Sequence, residues 1–86
     1  MARKYKCPCC GYYTLPERAD GTYEICPVCF WEDDGLQLLN PNFVGGANRV
    51  SLNQGRKNFI DFGACEKEML VHVRPPKKSE LQGIDS

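Results

Sequence analysis

CPCCG, at residues 7–11, and CPVC, at residues 26–29, are the stretches that decide the fold. Each contains a C-x2-C pair, and fifteen residues separate the two pairs. The four paired residues are Cys7, Cys10, Cys26 and Cys29. This spacing is typical of a four-thiolate zinc site, because each short turn brings two sulfurs to one ion and two turns complete a tetrahedron. The sequence therefore predicts bound Zn2+, with a rubredoxin-like iron site on the same sulfurs as the alternative.

Two cysteines and the single histidine stand outside these pairs. Cys9 cannot replace Cys7 or Cys10 without losing the C-x2-C spacing. Two interpretations of Cys9 stay open: a reactive thiol beside the metal, or a small side chain that fills the turn. Cys65 is predicted to be a small buried apolar residue. His72 is predicted to be packed or exposed rather than a ligand, since four thiolates already complete the site.

The length of the chain favours a metal-stabilised domain. The chain has 86 residues, and a hydrophobic core of that size supplies only ~3–5 kcal/mol of net stability. Residues 1–74 are predicted to form one domain. Residues 75–86 begin with two prolines and lack sustained apolar periodicity, so they are predicted to be a flexible tail.

Composition bears on compartment and partners. The N-terminal residues contain no apolar signal region, and no apolar run approaches the ~20 residues that span a bilayer. We therefore expect a cytoplasmic protein without a membrane partner, in a compartment where cysteines bind metals more often than they form disulfides. Eleven basic and eleven acidic residues give no net charge, which argues against a dedicated nucleic-acid binder.

The predicted fold class is a small α+β fold: a zinc-ribbon-like β-hairpin with two cysteine knuckles, one helix and one additional strand. Aromatic and β-branched residues predict strands at Tyr12–Leu15 and Thr22–Ile25, which pair across a turn at Pro16–Gly21. The apolar alternation of Met69–Arg74 predicts the additional strand.

The helix is predicted at Leu52–Phe62. Ser51 and Gln54 form the pattern of a capping box at its start, and Gly63 is a plausible C-terminal stop. Gly55 inside the helix costs up to ~1 kcal/mol relative to alanine. That cost indicates either a close contact at Gly55 or simple tolerance.

Polar and aromatic residues outside the cysteines form a second candidate site. Its members are Trp31, Glu32, Asp33, Asp34, Asn48, Arg49 and Arg56. In one interpretation Arg49 or Arg56 reaches back to the acidic run (residues 32–34), which would tie the helix to the ribbon. Asn48 then orders the glycine loop, NPNFVGGANRV (residues 40–50). In the other, these groups bind a polar ligand, a second cation or a partner. An exposed Trp31 would then mark a binding hot spot.

Three stretches carry a resemblance to a known family. YKCPCCGYYTL (residues 5–15), YEICPVCFWEDDG (23–35) and GANRVSLNQGRKNFIDFGAC (46–65) resemble, in this order, the bacterial cysteine-rich CPCC domain family. The resemblance implies a small zinc-ribbon-like protein and implies no reaction.

The sequence favours a non-catalytic function. It has no Ser-His-Asp set and no phosphate-binding glycine motif, and a four-thiolate site leaves no open position on the metal. We expect a protein-interaction module that contacts an unidentified protein through the FWEDDG segment (residues 30–35) and the helix. One alternative is an iron electron carrier. Another is a small hydrolase or nuclease that uses Glu32, Asp33, Asn48 and Arg56.

Overall fold

The computed structural model describes residues 5–81. The chain forms a small α+β, zinc-ribbon-like fold, as predicted, with a two-stranded antiparallel sheet, one main helix and four clustered cysteines. The elements are β1 (Tyr5–Lys6), β2 (Tyr13–Leu15), α1 (Gly35–Leu39), α2 (Leu52–Phe62) and two 3₁₀ turns at Lys67–Val71 and Lys78–Glu80. Within residues 5–81, no helix is long and apolar enough to cross a membrane.

The strands pair differently from the prediction. β2 pairs with β1, so that Tyr5 lies opposite Leu15. The predicted pairing of β2 with Thr22–Ile25 is wrong, because Ile25 instead forms an antiparallel bridge with Glu32.

The reason lies in the cysteine turns themselves. In the first turn the backbone N–H of Gly11 donates to the Cys7 carbonyl at 2.9 Å, and in the second Phe30 donates to Cys26 at 2.8 Å. Each turn reverses the chain at once. A strand that enters a knuckle therefore finds its nearest partner in the strand that leaves the same knuckle.

The prediction of α2 is confirmed. The Ser51 hydroxyl accepts a hydrogen bond from the Gln54 backbone N–H at 3.1 Å, and Gly63 ends the helix in the left-handed conformation at φ 95°. The reciprocal half of the capping box is replaced: the Gln54 amide donates to Asn58 Oδ1 at 2.8 Å.

The strand predicted at Met69–Arg74 is not formed. The chain turns instead in a 3₁₀ helix at Lys67–Val71. Met69 packs against the core, whereas Val71 is 83 % exposed. A strand would have placed these two side chains on the same face, whereas the 3₁₀ turn places one inward and the other outward.

The core surrounds the cysteine cluster. Leu15, Val28, Trp31 and Leu52 are buried beside the thiols. Tyr12 packs edge-on against Phe59 of α2, with ring centroids 6.2 Å apart. The core therefore joins the two knuckles to α2.

Residues beyond the predicted domain end also contact the domain. Arg74 makes two hydrogen bonds of 2.8 Å to the carboxylate of Glu80, which is 2 % exposed. Residues 82–86 of the predicted flexible tail lie outside the described residues.

Candidate metal centre

The four paired cysteines converge on one point. Their sulfurs all lie within 4.8 Å of one another. The Cys7–Cys29 and Cys10–Cys26 sulfur pairs are both 3.7 Å apart. A tetrahedral site with zinc–sulfur distances of ~2.3 Å requires sulfurs about 3.8 Å apart. The donor set and its spacing therefore fit one tetrahedral metal ion.

Three of the four candidate ligands are shielded from solvent, and the fourth is partly exposed. Cys7, Cys26 and Cys29 are fully buried, and Cys10 is half-buried. The neighbouring Cys10 thiol, then that of Cys26, raises the pKa of Cys7, while contacts with Cys10 and Cys29 lower the pKa of Cys26. Thiols packed this closely cannot all ionise unless a cation compensates their charge. The electrostatics therefore favour metal binding over four free thiolates.

Cys26 has additional hydrogen-bond donors. The Thr14 hydroxyl lies 2.9 Å from the Cys26 sulfur, and the Val28 backbone N–H donates to the same sulfur at 3.4 Å. A thiolate can only accept, so in the ionised site Thr14 donates. Such contacts orient a ligand and reduce the charge that it presents to the metal.

Segments that follow in sequence hold both knuckles in place. Arg56 of α2 donates from Nε to the Pro8 carbonyl at 2.9 Å in the first knuckle. In the second knuckle, Cys65 donates its backbone N–H to the Cys29 carbonyl at 2.8 Å, and Arg74 donates to Pro27 at 3.2 Å. The relative position of the two sulfur pairs thus depends on α2 and the chain after it.

The structure also explains the glycine inside α2. Gly55 is buried, and a Cβ added there would lie 3.3 Å from Cys9 Sγ and 3.5 Å from Cys65 Cβ. The close-contact interpretation of Gly55 is therefore confirmed. Cys65 is buried as predicted, at 1 % exposure, and burial raises the pKa of its thiol to about 12.

The comparison with known families agrees with this geometry. A family model described as "Cysteine-rich CPCC" matches residues 5–80. The chain belongs to the cysteine-rich CPCC family. No curated protein matches it. Membership and the four-sulfur cluster together support metal binding by this CPCC protein.

The second candidate site of the CPCC protein is built around a buried glutamine. Gln37 of α1 accepts at Oε1 from the Trp31 indole and from the Asn48 amide, both at 3.0 Å. Its Nε2 donates to the Phe43 and Val50 carbonyls at 3.1 and 2.7 Å. Trp31 is fully buried, so the exposure expected of a hot-spot tryptophan is absent.

Asn48, which the structural interpretation expected to order the glycine loop, joins that loop to the acidic run. It accepts from the Glu32 backbone N–H at 2.9 Å and donates to the Glu32 carbonyl at 2.8 Å. These are contacts with the Glu32 backbone, so the half-buried Glu32 side chain is not used in them.

The two aspartates of the run order separate loops. Asp33 Oδ2 accepts from the Asp20 and Thr22 backbone N–H groups, both at 2.9 Å. Asp34 caps α1 through Leu36 N at 2.9 Å and accepts from Ala47 N at 2.7 Å. A Cβ at Gly46 would collide with the Asp34 carboxylate, which accounts for the glycine there.

Arg49 and Arg56 contact residues outside the acidic run. Arg49 pairs with Glu66 at 3.2 Å and Glu68 at 3.5 Å. Arg56 contacts Pro8 and Asn53. The expected contact between an arginine and residues 32–34 is therefore replaced by ties to the chain after α2 and to the first knuckle.

The groups named for a hydrolase have different partners. The buried Asp33 carboxylate accepts from the Asp20 and Thr22 backbone, the buried Asn48 amide bonds to the Glu32 backbone, and Arg56 is hydrogen-bonded to the first knuckle. Within the part of the chain that the structure describes, the hydrogen bonds of Arg56 go to Pro8 and Asn53, and those of Asn48 go to the Glu32 backbone and Gln37. The four groups therefore do not form one hydrogen-bonded cluster.

Sequence reasoning missed three residues of this arrangement. Gln37, Thr14 and Glu66 are buried polar residues that hold Trp31, Cys26 and Arg49 respectively. In GLQLL, residues 35–39, a glutamine between leucines is the residue expected to face solvent, so the sequence carries no signal that Gln37 is buried.

Proposed function

We propose that this CPCC protein binds one structural Zn2+ and acts as a non-catalytic protein-interaction module. The observation that carries the proposal is the closed set of four sulfurs, three of them fully buried, around a single point. With all four tetrahedral positions taken by thiolates, the metal has no position for water or substrate. Zn2+ would supply folding free energy by joining the two knuckles.

The polar candidates support this view because the protein uses them internally. Trp31, Asp33 and Asn48 are buried and hydrogen-bonded. They stabilise the loops around α1. We therefore place the proposed contact surface next to the FWEDDG segment rather than on its side chains.

Helix α1 offers that surface because it buries a polar side chain and exposes apolar ones. Its glutamine is buried, whereas Leu36 is 59 % exposed and Leu39 is 86 % exposed. Together with Tyr23, 65 % exposed, these leucines line an open pocket of about 640 Å³. Leucines on the solvent side of a helix that buries a glutamine favour contact with an apolar side chain of a partner protein.

The surface can be tested by site-specific photo-crosslinking in cells. A photoreactive amino acid at position 39 should capture a defined partner that the same group at the exposed Lys57 position does not capture. The Leu36→Lys/Leu39→Lys variant should lose this partner, and Val71→Lys, another exposed position outside the pocket, should keep it. Equal capture by all these proteins would overturn the assignment of the surface.

The metal is tested separately by elemental analysis of protein made in iron-replete cells. We expect one zinc per chain and no visible absorption. A red protein with one iron per chain and a reversible redox couple would contradict the zinc assignment and support the electron carrier.

A further inference from the structure

Three segments of the chain form the pocket beside α1, here called the α1 pocket: residues 20–23, 34–39 and 46–47. Direct contacts hold these segments together. Gly21 lies against Gly35, since a Cβ at Gly21 would be 3.2 Å from the Gly35 nitrogen. Asp34 caps α1 and also accepts from the Ala47 backbone N–H, so it ties the third segment to the helix. The pocket is therefore preorganised, which lowers the entropic cost of binding.

Tyr23 at the rim of the α1 pocket has an unusual backbone conformation. Its φ of 63° lies in the left-handed region, which residues other than glycine rarely adopt. The Tyr23 backbone N–H donates to the Asp33 carbonyl at 3.0 Å, which helps to hold this conformation. Tyr23 is nevertheless largely exposed. Strained residues are concentrated at ligand-binding sites, so an exposed aromatic side chain held in this way favours contact with a ligand.

The charges around the α1 pocket are predominantly negative. Residues 17–48 contain six acidic residues and one basic residue, Arg18, whereas residues 49–81 contain four acidic and seven basic residues. Among residues 5–81, every ion pair lies between residues 49 and 80. The negative charge of residues 17–48 is therefore not neutralised by ion pairs within the described chain.

Three aspartates place this charge at the pocket. Asp20 and Asp34 are the acidic residues in its lining. The contact of Asp20 with Asp33 uses the Asp20 backbone N–H, which leaves its exposed carboxylate available to a partner. The Oδ1 atom of Asp33 is buried without a hydrogen-bond partner among the described residues, so donors compensate the Asp33 charge only in part. The summed potential attracts basic groups and repels acidic ones.

We propose that the α1 pocket binds a segment of a partner protein in which an apolar side chain is flanked by lysine or arginine residues. This inference rests on the proposed function, which places a protein contact at this surface, and adds the chemistry of the partner. The apolar side chain lies against the exposed leucines of α1 and Tyr23, and the basic side chains contact Asp20 at the rim. An acidic segment with the same apolar side chain is repelled by the same charges.

Two synthetic peptides test the chemistry of the partner. They have the same central leucines, flanked by lysines in one peptide and by glutamates in the other. Each peptide is titrated into isotope-labelled, metal-loaded protein, and NMR follows the backbone amide signals of Tyr23, Leu36 and Leu39. We expect the lysine peptide to bind at least about tenfold more tightly at low salt. This difference should shrink in about 1 M NaCl, where the Debye length is about 3 Å.

A matched pair of variants locates the charge. Asp20→Asn keeps the shape of the side chain and should weaken binding of the lysine peptide about threefold. Asp61→Asn, an exposed change on α2 outside the pocket lining, should leave that affinity unchanged. Equal affinities for the two peptides, equal effects of the two variants, or shifts confined to residues outside the α1 pocket would each overturn the proposal. Self-association of the chain at this pocket in place of peptide binding would also overturn it.

Failure of this inference differs from failure of the proposed function. If position 39 captures a defined protein partner in cells but the two peptides bind equally, the contact surface stands and the assigned partner chemistry is wrong. If position 39 captures no defined partner, the proposed function is wrong as well.

Discussion

Gln37 provides the sharpest test of the arrangement around α1. Its two donated hydrogen bonds satisfy the Phe43 and Val50 carbonyls, and its oxygen accepts from Trp31 and Asn48. Gln37→Glu keeps the shape and the accepting oxygen but replaces the donating NH2 group with a second oxygen. The two carbonyls then lose their donor.

The expected cost follows from these two contacts. An unsatisfied buried polar group costs about 1–3 kcal/mol, so the loss of both donated bonds should lower the free energy of unfolding by about 2–6 kcal/mol. Gln54→Glu is the matched control, because Gln54 is exposed and its side-chain amide bonds to Asn58. The control should change stability by no more than about 0.5 kcal/mol.

Urea denaturation of metal-loaded protein measures this difference. The chain has a single tryptophan, Trp31, and it is fully buried beside Gln37, so its fluorescence reports unfolding directly. Equal midpoints for Gln37→Glu and Gln54→Glu would refute the reasoning that Gln37 organises the loops around α1.

Three further changes test other contacts. Glu80→Gln should lower the free energy of unfolding by about 1–3 kcal/mol, because it weakens the pair of hydrogen bonds with Arg74. Urea denaturation measures this change, and an unchanged midpoint would show that the contact does not stabilise the fold. Gly46→Ala should lower the free energy of unfolding by about 1–2 kcal/mol in the same assay, because the added methyl group displaces the Asp34 side chain that caps α1. An unchanged midpoint would contradict this role of Gly46. For Asp33, burial opposes ionisation, but hydrogen bonds from Thr22 and Asp20 hold its pKa below the ordinary value of 3.8. Its carboxylate should therefore stabilise the fold above about pH 4, with the contribution lost as pH falls through the lowered pKa. Carboxyl NMR titration should find the pKa of Asp33 below 3.8, and a pKa above 3.8 would contradict the contacts.

The sequence was sufficient for the metal ligands and α2 because both depend on local patterns. The C-x2-C spacing selects the four sulfurs that the structure brings together, and Ser51 and Gly63 mark the helix ends. In each case the decisive contacts lie within one turn of the chain, where residue spacing determines geometry.

Strand pairing and the polar contacts could not be read in the same way. Strand pairing depends on how sharply each cysteine turn reverses the chain. The amino-acid composition between the two turns does not reveal this. Arg49 forms its ion pair with Glu66 rather than with the acidic run, although both offer a carboxylate. Charge complementarity identifies possible partners, whereas the path of the backbone after α2 determines which one is near.

The central claim is that Cys7, Cys10, Cys26 and Cys29 alone bind the metal. Its most direct test is the metal retained by six single Cys→Ser variants after dialysis against a chelator. We expect the Cys9 and Cys65 variants to keep about one ion per chain and each of the other four to lose it. Loss of metal from the Cys9 variant, or full retention by any of the four, would contradict the account.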